Sequence, residues 1–144
     1  MEKQELEVWQ RVLSCREETP KHDLRQLRQE SMELAAIYRN LSPRVSGTNQ
    51  ELVKRLYRGE RANAAALAGI GKLSRREEER LKLWQPGNEE PRRVLEKCYH
   101  RTRRCVTEYL ARSADGEFGL VFGKLAKRGE DHCLWIAEIL GSLP

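Results

Sequence analysis

Four stretches of this chain carry apolar residues alternately three and four positions apart, a spacing that admits little besides amphipathic helices. The first seam is Leu24, Leu27, Ser31, Leu34, Tyr38 and Leu41, and the second is Val53, Leu56, Glu60, Asn63, Leu67 and Ile70. The third reads Leu95, Cys98, Thr102, Cys105 and Tyr109, and the fourth Phe122, Leu125, Gly129, His132, Ile136 and Ile139. Strand signals are almost absent, with no alternating run and no Asn-Gly hairpin. Thr19-Pro20 predicts the cap and first helical position of the first long helix, and Ser42-Pro43 its end. Thr48-Asn49-Gln50-Glu51 fits a capping box for a second helix that would stop at Gly69 and Gly71. A third is expected from Asn88 to about Ser113, with Pro91 tolerated in its first turn, and a fourth from near Phe118 to Leu140. Two shorter helices are predicted, one over 3–16 with Leu6, Trp9, Val12 and Leu13 on one side, the other from the capping box Ser74-Arg75-Arg76-Glu77 to Pro86-Gly87. The expectation is one all-α domain over residues 1–144. It is an antiparallel four-helix bundle with a short N-terminal helix and a short extra helix between the second and third long ones.

Each seam is apolar at both ends and interrupted near its middle. Antiparallel stacking brings the interruptions to one height, placing Ser31, Glu60, Asn63, Thr102, Gly129 and His132 around a single interior volume. Glu60 cannot be buried there as a lone ion without a cost of several kcal/mol, so it needs a partner, and His132 is the obvious one. Such a cluster can be a metal site, a pocket for a small polar ligand, or a satisfied polar network in which Ser31, Thr102 and Asn63 join the Glu60–His132 pair through buried water. A network that has filled the volume is the favoured of these.

Charge and cysteine usage bound the function classes. Lys plus Arg is 27 and Asp plus Glu 22 in 144 residues, giving a net charge of +5. The basic pairs Arg75-Arg76, Arg92-Arg93, Arg103-Arg104 and Lys127-Arg128 are scattered among acids, which reads as solvated helix faces and disfavours a nucleic-acid partner. The cysteines Cys15, Cys98, Cys105 and Cys133 include no Cys-x-x-Cys pair, so a zinc finger is excluded and reduced thiols in the cytoplasm are expected. No apolar run approaches the ~20 residues of a membrane helix, and the N-terminal Met-Glu-Lys-Gln-Glu lacks a signal-peptide core. Trp9, Trp84 and Trp135 read as packing residues. No Gly-rich phosphate loop and no nucleophile–base motif appears.

Three passages resemble the ferritin-like superfamily, and within it the rubrerythrin-type domains. They are Glu30-Ser31-Met32-Glu33-Leu34-Ala35-Ala36-Ile37-Tyr38, then Leu56-Tyr57-Arg58-Gly59-Glu60-Arg61-Ala62-Asn63, and Val121-Phe122-Gly123-Lys124-Leu125-Ala126 leading through Glu130-Asp131-His132. With the Cys98-Tyr99 to Tyr109 helix they span about residues 22–141. The family holds two irons, or manganese, at mid-bundle, with one Glu from each of two helices and a Glu-x-x-His pair from each of the others. The resemblance puts the six ligand positions on the six seam interruptions. Glu60 keeps the first residue of one pair and His132 the second of the other. Asn63 stands where His is wanted, Gly129 where Glu is wanted, and Ser31 and Thr102 replace the single carboxylates. Off-seam Glu30 and Glu130 lie close enough in sequence to be alternative ligands.

A di-iron centre needs about four carboxylates against four positive charges, and the seam offers one. The resemblance therefore implies iron oxidoreductase or peroxidase ancestry in a chain that has lost the site, with no cofactor. The favoured expectation is a non-enzymatic binding or structural bundle acting through its surface or as a homodimer. The alternatives are a working iron or manganese oxidoreductase using Glu60 and His132, and a basic nucleic-acid-associated bundle.

Overall fold

The computed structural model describes residues 23–73, 87–114 and 116–144. Over these residues it is all helical, with four long helices: α1 (Leu24–Leu41), α2 (Gly47–Leu73), α3 (Pro91–Arg112) and α4 (Gly119–Ser142). A single turn of 3-10 helix, Ser42–Arg44, joins α1 to α2. The short helices expected over 3–16 and after Ser74 lie outside the described residues, as do Cys15, Trp9 and Trp84. Among the described residues no helix is long and apolar enough to cross a membrane.

Helix boundaries correct the sequence reading in three places. The second helix starts at Gly47, so Thr48 lies inside it rather than at its cap. The cap of α1 is Asp23 rather than Thr19. The Asp23 carboxylate accepts from the Gln26 N–H, and the Gln26 side chain accepts from the Asp23 N–H, each at 2.8 Å. This reciprocal box satisfies two of the donors that a helix start leaves bare. At the far end of α2, Gly69 and Gly71 do not stop the helix, which continues to Leu73. A glycine keeps its N–H and only costs the helix about 1 kcal/mol. It ends one where the chain needs a left-handed turn, and among the described glycines only Gly47 has positive φ, at 60°. Pro91 does occupy the first turn of α3, as its fixed φ allows.

Every residue of the four seams is buried. They form two apolar clusters. One gathers Leu34, Tyr38 and Leu41 of α1, Leu52, Val53 and Leu56 of α2, Leu95 and Cys98 of α3, and Ile136 and Ile139 of α4. The other gathers Leu24 and Leu27, Leu67 and Ile70, Cys105 and Tyr109, and Phe122 and Leu125. The first cluster therefore takes the end of α1, the start of α2, the start of α3 and the end of α4. Hence α1 and α2 are antiparallel, α3 and α4 are antiparallel, and α2 and α3 run the same way. Contact is densest within the α1–α2 and α3–α4 hairpins, then between α2 and α4, with less between α1 and α3. On each helix the residues separating the two clusters are the polar interruptions.

Candidate functional site in the central layer

Ser31, Glu60, Asn63, Thr102 and His132 are the buried polar residues of the core, none more than 3% exposed. Their placement follows from the seams: each lies one helical step between a residue of one cluster and a residue of the other. Glu60 and His132 meet across the α2–α4 contact, with His132 Nδ1 3.0 Å from Glu60 Oε1. The carboxylate accepts and Nδ1–H donates, which leaves the ring's second nitrogen, Nε2, without a hydrogen-bond partner. The other face of the ring packs against Trp135, centroid to centroid 5.4 Å.

Gly59 explains how the ring fits. A Cβ built there would lie 2.2 Å from His132 Nε2 and 2.5 Å from Cε1, so the imidazole rests on bare backbone of α2. Gly129 has a matching role toward α3: a Cβ would lie 2.5 Å from a Val106 methyl. The space that a side chain at 129 would occupy is filled by Val106 and Thr102. Sequence reasoning reached Gly129 as an interruption of the fourth seam, but passed over Gly59. The signal was present, since a mid-helix glycine beside a buried carboxylate carries a propensity cost that only a close approach offsets.

Asn63 does not join the Glu60–His132 pair. Its side-chain oxygen accepts at 2.8 Å from Nη1 of Arg128, one helical turn before His132 on α4. Arg128, read from the sequence as part of a solvated basic pair, instead brings a guanidinium to the edge of the layer. Ser31 and Thr102 also stand apart from the expected network. The Ser31 hydroxyl lies close to Tyr109 and that of Thr102 close to Tyr38, without a hydrogen bond of good geometry. Glu30 lies on the α3 side of α1 rather than in the layer, where it and Glu33 hold Arg101, the second contact at 3.2 Å. Glu130 is exposed on α4. The structure thus brings Glu60 and His132 together and leaves Glu30 and Glu130 outside. Among the described residues no group of three or more His, Cys, Asp or Glu could share a metal ion.

Burial sets the protonation of the remaining groups. It pushes the Cys98 thiol up to about 12 and raises Cys105 further, with the negative charge of Glu60 adding to both. Tyr38 and Tyr109 are raised by the same causes, burial foremost. Cys133 is raised by burial, partly offset by Arg103. These thiols are neutral apolar fillers at neutral pH and not nucleophiles.

No family model, curated protein or solved structure matches this chain.

Two outcomes are expected from the geometry of the layer. Gly59→Ala should destabilise the protein by about 1–3 kcal/mol through overpacking against His132. In a His132→Ala background the same change should stabilise by about 0.5–1 kcal/mol, the ordinary helical gain of Ala over Gly. Urea titration of the two pairs checks the reversal of sign, and a stabilising Gly59→Ala in the parent would refute the close approach. The second outcome concerns alkali. A thiol in an unfolded chain ionises near 8.5, roughly, whereas Cys98 holds its proton to about 12. The folded state thus binds protons that the unfolded state releases. Stability is intact below about pH 8 and falls above it by about 1.4 kcal/mol per pH unit for each such thiol. Unfolding midpoints measured upward from neutral pH should show this decline, and Cys98→Ala/Cys105→Ala should remove most of it.

Proposed function

We propose that the chain is a ferritin-type bundle of rubrerythrin descent whose metal-holding layer has become a metal-free structural layer, and that it works as a non-enzymatic binding protein through its surface. The resemblance of the seams supports this reading, as do the directions of the four helices, two antiparallel hairpins with α2 and α3 running the same way. Arg128 carries it furthest. Its guanidinium bonds Asn63 at the position where the resemblance wants a histidine ligand, so a fixed positive charge is tied to the layer three residues along α2 from Glu60. Glu60 bonds His132 and Asn63 bonds Arg128, both partners coming from α4, so these two positions of α2 are engaged without a metal. Two divalent cations added to that arrangement would meet repulsion and only one carboxylate, with Val106 filling the space beside Gly129.

Iron and manganese measured in protein purified without chelator, and again after anaerobic addition of ferrous iron, should stay well below one per chain. Metal near two per chain would overturn the reading in favour of an oxidoreductase using Glu60 and His132. Glu60→Gln should keep the fold and change stability by less than about 1 kcal/mol, since an amide still bonds Nδ1. Glu60→Ala should cost about 3–5 kcal/mol by leaving His132 unpaired in a cavity. The contrast between the two is read from thermal or urea unfolding.

A further inference from the structure

The acids of the α1–α2 hairpin are sorted by direction. Glu30 and Glu33 turn toward α3 and are held by Arg101. Glu60 turns inward to His132. The exposed acids left on these two helices reduce to Glu51, paired with Lys54 at 3.6 Å. On the opposite flank of α1, Arg28, Met32, Ala35 and Arg39 recur at four, three and four residues and so form one stripe. On α2, Gln50, Lys54, Tyr57 and Arg61 do the same. The stripes meet where Arg39, Lys54 and Tyr57 line one cleft of about 230 Å³. Because the helices are antiparallel, Arg61 lies farther from the cleft along α2 and Arg28 farther from it along α1, so the cations continue along both helices in the same direction. Arg58 stands exposed on the outer side of the second stripe. The outer face of the hairpin is a basic track with an aromatic cleft at one end.

We propose that this face binds single-stranded nucleic acid, its phosphates on Arg28, Arg39, Lys54 and Arg61 and one base in the cleft against Tyr57. A track of cations follows a phosphate backbone, and an accessible aromatic face takes a base that no duplex offers. The cleft suits one flat ring system, being smaller than a pocket for a whole drug-sized ligand. The same face is poorly made for a lipid bilayer, which needs large apolar side chains to enter the acyl region. Among the described residues the large exposed apolar side chains, Leu110, Leu120 and Leu134, lie on α3 and α4 instead. This inference names a partner for the surface role proposed above but rests on the outer face alone, so metal content tests the one reading and oligonucleotide binding the other.

The full-length chain is titrated with a fluorescent oligothymidylate of about 12 nucleotides across a range of salt concentrations. The expected slope of log affinity against log salt is about −3, four phosphate contacts at about −0.7 each. Arg39→Gln/Lys54→Gln/Arg61→Gln should weaken binding at least tenfold, roughly, at low salt and flatten the slope by about 2. Tyr57→Leu keeps its packing against the core and should weaken binding about tenfold with the slope unchanged. Arg93→Gln/Lys124→Gln/Lys127→Gln removes the same charge from α3 and α4 and should leave binding within about twofold. Three results would each overturn the proposal: no binding at low salt, equal losses in both triple variants, or tighter association with anionic vesicles than with the oligonucleotide.

Discussion

A carboxylate and an imidazole buried 3.0 Å apart, between helices that are otherwise packed with leucine and isoleucine, constrain everything at the middle of this bundle. Removing either partner strands the other in a medium where an unpaired charge costs several kcal/mol. The pair forms only if α2 and α4 approach closely with their registers fixed. Gly59 supplies the approach by letting the ring lie on backbone, while Gly129 lets α3 come close to α4 by admitting Val106. Two residues with poor helix propensity therefore serve two close approaches. Local preference and tertiary packing disagree at these two positions, and packing decides.

The seams were legible in the sequence because burial on a helix has a period, and nothing competes with it over residues such as Leu24 to Leu41. The polar interruptions were legible for the same reason: the period says where a buried residue must be, whatever its chemistry. What they bond to was only partly legible. Glu60 has one sensible partner in the core, so His132 followed from chemistry alone. Asn63 found Arg128, which the periodicity places off the seam, because a long arginine stem reaches a layer that its own Cα does not face. Gly59 was hidden by its neighbour, since the carboxylate drew notice to position 60 and not to the space before it. The start of α1 was misread because Thr19-Pro20 is a strong local signal and Asp23 with Gln26 is a reciprocal one. The glycines at 69 and 71 were misread because absence of a Cβ permits a helix end without requiring it.

The charges were the least legible feature. Along the chain acids and bases alternate, which reads as a neutral, solvated mixture. In three dimensions direction matters more than proximity in sequence. Glu30 and Glu33 sit beside Arg28 in the chain but face Arg101 across the α1–α3 gap. Glu60 lies between Gly59 and Arg61 yet faces the opposite side of α2 from that arginine. Composition records none of this, because it counts charges without their bearings.

Interior and surface are consequently linked by the same acids. A carboxylate turned inward to hold His132, and two turned sideways to hold Arg101, are each withdrawn from the outer face of the first hairpin. The cations left there keep one acid on their own two helices, Glu51, which pairs with Lys54 at 3.6 Å. In water at moderate salt a charge is felt for roughly 8–10 Å, so neighbouring cations on stripes spaced by one helical turn act together rather than singly. A central layer that satisfies itself and a surface that attracts anions are then two results of one arrangement of glutamates. If Glu30 and Glu33 were released from Arg101, the α1–α3 gap would lose its crossing ion pairs.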